Sequence, residues 1–404
     1  MKSCGEDSKI KLGWMSDNPC TNTGFSSVSR EVLNRLNKMP DYNCKMMGHN
    51  FIGQTLKKGT QFIDGSEIDF ELHPGGREPF GKDVISWWIK NNKLDIFGVL
   101  LDTFMVFPWF NNLDMSPAKT FFYFPSDGEG RLPHNCESIL KKVDMPIAMS
   151  KFGQRQAWKV HGIKTEYIPH AVDRNLFYKL EDDKIEELKI KWGMEGKFIV
   201  GTVARNQGRK MLDRGLKAFS KFAEGKDDVM YLFHTDPEDV ASVFNILELI
   251  QRYKLQNKVI FTGTKYYKGF TYHEMNEVYN IMDVHLLSTS GEGFGIPTIE
   301  ASACGVPSLV TNFTTTQELL VENGVCGIPI KCLGTELDSI TGSWNVERGI
   351  MSVEDCKDKL NLLYNDRKLV KKLGNEGVIK VEKYYDWDKV AKDFDKLLKK
   401  LVKI

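Results

Sequence analysis

The chain has 404 residues, with 55 basic and 54 acidic side chains, a formal charge of +1 and a hydrophobic fraction of 41%. That length exceeds one ordinary core and predicts two domains of about 150 to 200 residues each, while the balanced charge argues against nucleic acid as a partner. No window approaches the ~20 apolar residues that cross a bilayer, the opening MKSCGEDSKIK is polar where a secretory signal would be apolar, and the eight cysteines are scattered without C-x2-C spacing, so a cytoplasmic protein with free thiols and no metal site is expected.

Lys9 to Trp14 (KIKLGW) reads as the opening strand, followed by the polar loop SDNPCTNTGFSS and a helix with Val28, Val32 and Leu36 on one face. Gly24 stands at that junction, where turn geometry alone can require a glycine. The G-x-G-x-x-G fingerprint of dinucleotide binding is absent after the strand. Further strands are expected at Cys44–Met47, Ile68–Leu72, Leu94–Leu101, Lys119–Phe124 and Pro146–Ser150, and helices around Asp83–Lys90 and Lys151–His161. The run from Gly59 to Phe80 is a hairpin-prone excursion. Strands alternating with helices mean a doubly wound parallel sheet.

Asp102 and Asp127 each follow a strand, at the carboxyl edge where such sheets bind ligands. Asp127 precedes Gly128 and also suits an ordinary Asp-Gly turn. Trp87, Trp88, Phe104, Phe107, Trp109 and Phe110 give this half an aromatic excess that serves either as core or as a platform for a sugar or lipid acceptor. Lys90 and Lys93 beside the two tryptophans predict at most weak, peripheral contact with anionic lipid.

The charged stretch Lys179 to Lys191 reads as a linker between domains at residues 1–178 and 179–382. Lys197 to Arg205 (KFIVGTVAR) then starts a second alternating series, followed by the loop NQGRK and a helix with Leu212, Leu216, Phe219 and Phe222 along one side. Arg205 at the strand end and Lys210 at the helix start either clamp a diphosphate from two sides or stand solvated. Val229–His234 is the next strand, and Val240, Val243, Phe244, Leu247 and Ile250 mark an amphipathic helix. A strand Val259–Thr262 ended by Gly263 and Thr264, then a helix with Met275, Val278, Tyr279 and Met282, complete the series. In the tail, residues 383–404, one apolar face (Trp387, Val390, Ala391, Phe394, Leu398, Leu401) marks a last helix, on which the D-x-D of Asp386 and Asp388 reads as solvated charge.

One stretch carries more chemistry than the rest. Asp283 to Ser288 (DVHLLS) reads as a buried strand, Gly291 to Gly295 as a glycine loop, Pro297 as a helix start, Gly305 as its end, and Pro307 as the lead into a new apolar run. Glu292 and Glu300 stand on either side of this turn. A helix start favours phosphate, and carboxylates accept paired hydrogen bonds from vicinal sugar hydroxyls; a nucleotide sugar presents both. The simpler reading leaves Glu292 solvated and Glu300 as a complement to the helix dipole.

The run EGFGIPTIEASACGVP, Glu292 to Pro307, resembles the E-x7-E motif of retaining GT-B glycosyltransferases of family 4, the glycosyl transferases group 1. The resemblance implies an α/β fold of two Rossmann-like, doubly wound parallel-sheet domains facing a central cleft, with the last helix crossing back to the first domain. It implies that Glu292 meets hydroxyls of the donor sugar and Glu300 the ribose, with Gly293, Phe294, Gly295 and Ile296 around the donor. Arg205 and Lys210 would neutralise the leaving diphosphate, Thr264 would lie in the base-reading loop, Gly24 would admit the diphosphate, and Asp127 would serve the acceptor. Three departures stand out: a single glycine near Gly24 where two are usual, no histidine near Asp102, and Ala171 in place of glycine in YIPHAVDRNLF. The expected activity is transfer of a mannose- or glucose-type hexose from a GDP- or UDP-sugar to a hydroxyl on a glycan, lipid-linked or protein acceptor, with retention and no further cofactor. A GT-B sugar-nucleotide epimerase and a non-catalytic nucleotide-sugar-binding protein are the alternatives.

Overall fold

The structure, a computed structural model, describes residues 8–21, 23–62, 65–130, 136–240, 242–265, 269–338 and 346–403, with only the backbone at 79, 104, 107–109 and 136. The aromatic side chains of Phe104, Phe107 and Trp109 therefore lie outside the described set. The chain forms two compact units, one from Met1–Ser126, Gly130–His170 and Trp387–Ile404, the other from Asp127–Glu129 and Ala171–Asp386.

The first unit is built on seven strands, β1 (Ile10–Asp17), β2 (Tyr42–His49), β3 (Glu71–Pro74), β4 (Ile96–Leu100), β5 (Lys119–Phe124), β6 (Met145–Ala148) and β7 (Glu166–Tyr167), in the order β3-β2-β1-β4-β5-β6-β7. All pairs are parallel. Central strands read as unbroken apolar runs because both faces are covered; β4 is buried along its whole length. Helix α1 (Gly24–Lys38) starts at a capping box in which Thr23 and Ser26 satisfy each other's backbone N–H groups, and it buries Val28, Val32, Leu33 and Leu36.

The expected strand Ile68–Leu72 is divided. Thr60–Gln61 pairs antiparallel with Glu67–Ile68, and β3 begins only at Glu71. The cause is α1, whose Asn34 accepts from the Asp69 N–H at 2.6 Å and donates to the Glu67 carbonyl at 2.8 Å, withdrawing those groups from a continuous ladder. Of the aromatic cluster, Trp88 and Phe110 are core, whereas Trp87 is 63% exposed.

The carboxyl-terminal helix Trp387–Val402 belongs to this first unit. Its Phe394 is fully buried, with ring centroids 5.7 Å from Trp14, 6.4 Å from Phe121 and 5.3 Å from Tyr123. Asp388 is mostly exposed and pairs with Arg35 at 2.8 Å, as a surface charge does.

The second unit repeats the plan with β8 (Phe198–Val203), β9 (Val229–His234), β10 (Val259–Phe261), β11 (Val284–Leu287), β12 (Ser308–Thr311) and β13 (Gly327–Ile330), all parallel, in the order β10-β9-β8-β11-β12-β13. The winding reverses between β8 and β11. The crevice beyond the carboxyl ends of two such strands is where open α/β sheets bind ligands. The charged stretch read as a linker contains a helix, Asp182–Lys191, that buries Leu188 and Lys189.

The amphipathic helix expected from Val240 begins only at Ile246. Asn206, on the loop after β8, donates to the Phe244 carbonyl at 2.7 Å and accepts from the Phe244 N–H at 3.2 Å, and Asn245 caps the helix, so Val240 and Val243 remain outside it and exposed. After β13 an antiparallel hairpin, Cys332–Leu337 with Val346–Met351, precedes the last helices of the unit.

Truncating Phe394 to Ala is expected to cost about 3–5 kcal/mol, the usual loss for a fully buried aromatic. Urea denaturation followed by tryptophan fluorescence measures it; a loss under about 1 kcal/mol would place the helix outside the core.

Candidate active site

Two loops meet at the carboxyl ends of β8 and β11. The first runs from Ala204 through a short turn, Gly208–Lys210, to helix α2 (Leu212–Phe222), and the second from Ser288 to helix α3 (Ile296–Ala303). They are stitched together mainly through backbone oxygens of the first. The Arg209 carbonyl accepts the Ser290 N–H at 2.7 Å and the Ser290 hydroxyl at 3.0 Å, and the Ser288 hydroxyl donates to the carbonyls of Lys210 at 3.0 Å and Met211 at 2.9 Å. Met211 takes φ 44°, a left-handed conformation that costs a side-chain-bearing residue about 1–2 kcal/mol. The hydrogen bonds hold it there, and the turn presents Arg209 and Lys210 to the second loop.

Glu292 receives both cations. Its Oε1 lies 2.6 Å from Lys210 Nζ and its Oε2 2.9 Å from Arg209 Nη1, and its backbone N–H donates to Thr314 Oγ1 at 3.0 Å. Burial alone would raise the Glu292 carboxyl, but Arg209 and Lys210 outweigh it and hold the group at about 2. Burial, with Arg209 adding to it, pushes the Lys210 ammonium down to about 8 against the pull of Glu292. Both groups are therefore charged at neutral pH.

The glycines of the second loop have separate reasons. Gly295, immediately before α3, has φ 108°, which favours glycine. A Cβ on Gly291 would stand 1.9 Å from the Asp127 carbonyl oxygen. Gly293 lies between them, and Phe294 is buried edge-on to Tyr385 at 5.9 Å. Helix α3 opens at Ile296, so Pro297 is its second residue and Glu300 its fifth, one residue deeper than a start at Pro297 would place it.

Glu300 accepts from the Tyr279 hydroxyl at 2.6 Å, and burial raises its carboxyl to about 7, with that hydrogen bond opposing the rise. Arg205, at the end of β8, is held bidentately by the buried Asp239, with Nε–Oδ2 2.5 Å and Nη2–Oδ1 3.0 Å. Thr264 is buried in the loop beyond β10. Gly24 opens α1 in the first unit and is exposed. Asp127 lies in the three-residue segment counted with the second unit, its carboxylate 3.0 Å from Arg348 Nη1 and 3.9 Å from Arg209 Nε. Arg348, from the Val346–Met351 strand, also pairs with the buried Asp338 at 2.8 Å and donates to the Asp127 backbone carbonyl.

The geometry thus brings Lys210 and Glu292 together and puts Asp127 within reach of the same Arg209, while Arg205 and Glu300 have other partners. Sequence reasoning missed Arg209, Arg348, Asp338, Asp239 and the hydroxyl of Tyr279. Only Arg209 had a local signal, its place beside Lys210 after a glycine. Among the described residues no group of His, Cys, Asp and Glu is arranged to hold a metal, and no helix is long and apolar enough to cross a membrane.

Residues 184–380, which carry both loops, match the family model described as glycosyl transferases group 1. This part of the chain belongs to that family. Mannosylfructose-phosphate synthase of Agrobacterium fabrum is 27% identical over 183 residues, 43% of this chain and 38% of that protein. The serotype-specific mannosyltransferase WbdA of Escherichia coli is 27% identical over 142 residues, 34% of this chain and 16% of WbdA. The chain thus spans well under half the length of these relatives. In fold, it is similar to sucrose-phosphate synthase of Thermosynechococcus elongatus (TM-score 0.76, 14% identity, 97% of this chain and 99% of that one). It is also similar to Anabaena HepE, solved with UDP and glucose (TM-score 0.70, 14% identity, 97% and 100%). The two parallel-sheet domains are those of the GT-B fold.

Lys210→Ala leaves a buried carboxylate short of one cation and is expected to destabilise by about 3 kcal/mol. Adding Glu292→Gln removes the uncompensated charge and should recover at least half of that. Chemical denaturation of both singles and the double measures the coupling, and purely additive effects would contradict the pairing. For Glu300 the folded carboxyl sits near 7 and the ordinary value is 4.5, so the folded state binds the extra proton between them and stability falls as pH rises through that window. Glu300→Gln escapes this loss and should gain about 1–3 kcal/mol on wild type between pH 4 and pH 8; parallel pH profiles of the thermal midpoint would disprove it.

Proposed function

We propose that the chain is a retaining glycosyltransferase that moves a hexose from a nucleoside-diphosphate sugar to an acceptor hydroxyl. The observation that carries this reading is the buried Lys210–Glu292 pair, with the half-buried Arg209 on its other oxygen, at the point where the second sheet reverses its winding. Two cations there suit a diphosphate, and a carboxylate fixed between them suits sugar hydroxyls on the adjoining carbon atoms.

Breaking the bond between the anomeric carbon and the diphosphate places negative charge on the departing phosphate. Preorganised positive groups aimed at that charge are usually the largest catalytic contribution. Lys210 and Arg209 fill that role, and they need little reorganisation because Glu292 and the hydrogen bonds between the loops already fix them. Arg205 adds positive charge on the same loop, with Asp239 setting the direction of its guanidinium. Glu300, five residues into α3, takes the ribose hydroxyls, with Tyr279 holding the carboxyl in place. The N-terminal turn of α3, with Gly293, Phe294, Gly295 and Ile296, flanks the donor, and Thr264 belongs to the loop that meets the base. Asp127 serves the acceptor side, held by Arg348. Retention follows a front-face route in which the leaving phosphate takes the acceptor's proton, since the carboxylate nearest the donor, Glu292, is committed to two cations.

The named relatives support the donor class. Two are named for mannosyl chemistry, and HepE was also solved with UDP-glucose. GDP- and UDP-linked mannose and glucose are the donors to test. The acceptor is a hydroxyl on a glycan, lipid-linked or protein substrate, and the setting cytoplasmic.

Incubation with a panel of GDP- and UDP-hexoses is expected to release nucleoside diphosphate from one of them, by transfer or slow hydrolysis. Arg209→Ala and Glu292→Gln should each lower that rate about 100- to 1,000-fold. A new sugar isomer would make the protein an epimerase, saturable binding without turnover a binding protein, and unchanged rates in both variants would remove the site from the chemistry.

A further inference from the structure

The first unit contains a cavity of about 450 Å³ that the donor chemistry does not use. That size lies within the range of small-ligand sites. Met47 of β2 and His73 and Pro74 of β3 form part of its wall, Ile52 and Trp87 stand at its mouth with 88% and 63% of their surface exposed, and Arg77 and Asp83 lie on the rim.

This rim is fixed in place. Trp88, next to Trp87, is buried edge-on to His73 at 5.6 Å and Phe97 at 6.3 Å, which anchors the Ile85–Asn91 helix and so the position of its exposed neighbour. The Asp83 carboxylate accepts the backbone N–H of Arg77 at 3.0 Å and of Glu78 at 3.2 Å. Phe80 stacks on His49 with centroids 4.9 Å apart, and the Gly75 N–H donates to the Phe51 carbonyl at 3.0 Å. An exposed tryptophan and an arginine are therefore presented from a loop and a helix that are already ordered.

The charges around the cavity are unevenly matched. Lys45 and Lys57 are paired with Glu71, Lys82 with Glu78 and Lys90 with Asp114. Among the described residues, no carboxylate pairs with the exposed guanidinium of Arg77. His73 is held below its ordinary value by burial and by Lys45, and is neutral near pH 7; the Asp83 carboxylate is engaged by the Arg77 and Glu78 N–H groups, and Arg77 is the cation this rim offers a ligand. An indole face suits the apolar face of a pyranose ring, and a guanidinium fork suits a carboxylate or phosphate bidentately. With Lys90 neutralised by Asp114 and the surface concave, these residues fit a saccharide better than a lipid headgroup layer.

We propose that this cavity binds a saccharide unit bearing a carboxylate or phosphate, its ring against Trp87 and its acid on Arg77. The inference rests on the reading of the chain as a glycosyltransferase acting on a glycan, and it makes that glycan acidic.

Calorimetric titration of the intact protein with maltohexaose, hexagalacturonate and a phosphorylated mannose oligosaccharide tests it. At least one acidic probe should bind ten-fold or more tighter than maltohexaose. Arg77→Gln should erase that difference and Trp87→Ala should weaken the acidic probe at least ten-fold; both side chains are exposed, so the unfolding midpoint should stay at the wild-type value. The winning probe identifies the acid. Equal affinity for neutral and acidic probes, or binding unaffected by either variant, would overturn the proposal, as would salt-sensitive binding to phosphatidylglycerol vesicles with all saccharides inert. UDP and GDP titrated in parallel separate the two readings: if nucleotides bind and no saccharide does, the cavity assignment fails alone, whereas loss of nucleotide binding by wild type counts against the transferase itself.

Discussion

The second unit depends on the burial of one carboxylate between two cations. Glu292, Lys210 and Arg209 are a combination that burial opposes, since removing charge from water costs several kcal/mol per ion even after relaxation. The arrangement persists because each oxygen of Glu292 has its own partner, at 2.6 and 2.9 Å, and because the backbone on both sides is fixed by hydrogen bonds between the loops. A single cation would leave half of the carboxylate unmatched. The strained turn at Met211 follows from the same requirement: it directs two consecutive basic residues toward one acid.

The sheet sets where this happens. With β8 and β11 adjacent and the winding reversed between them, the loops that follow meet at the switch point, and α3 starts there. Arg348 extends the support from outside the Rossmann-like core. Its strand follows β13 in an added hairpin, and through Asp127 and Asp338 it braces the face of the loop that carries Gly291, where a side chain would not fit. The site is thus assembled from segments whose sequence separations exceed 200 residues, as between Asp127 and Arg348, and no single motif encodes it.

This explains what could be read from the chain beforehand. Strands with continuous apolar runs, such as Lys119–Phe124 and Val229–His234, and the helix Lys151–His161 match their expected bounds because burial on both faces or a clear helical period dictates them. The errors lie where a side chain from elsewhere takes over the backbone: Asn34 divides the strand around Asp69, and Asn206 delays the helix to Ile246. In the candidate site, the glycine loop was legible from local spacing, and Glu292 and Glu300 could be named as candidates from it. The partners of those glutamates were not, because Arg209 looks like any basic loop residue, Tyr279 like any core aromatic, and Asp239 and Arg348 act only through the tertiary fold.

The most direct test of the central claim is the affinity of the intact protein for UDP and GDP, compared by calorimetry among wild type, Arg209→Ala and the Lys210→Ala/Glu292→Gln double variant, in which the buried charge is relieved. If Arg209 and Lys210 hold the diphosphate, the better nucleotide should bind at least ten-fold more weakly to both variants, and the corresponding nucleosides should not distinguish them from wild type. Equal nucleotide affinity in folded variants would mean that the cations serve Glu292 alone and that the diphosphate is held elsewhere.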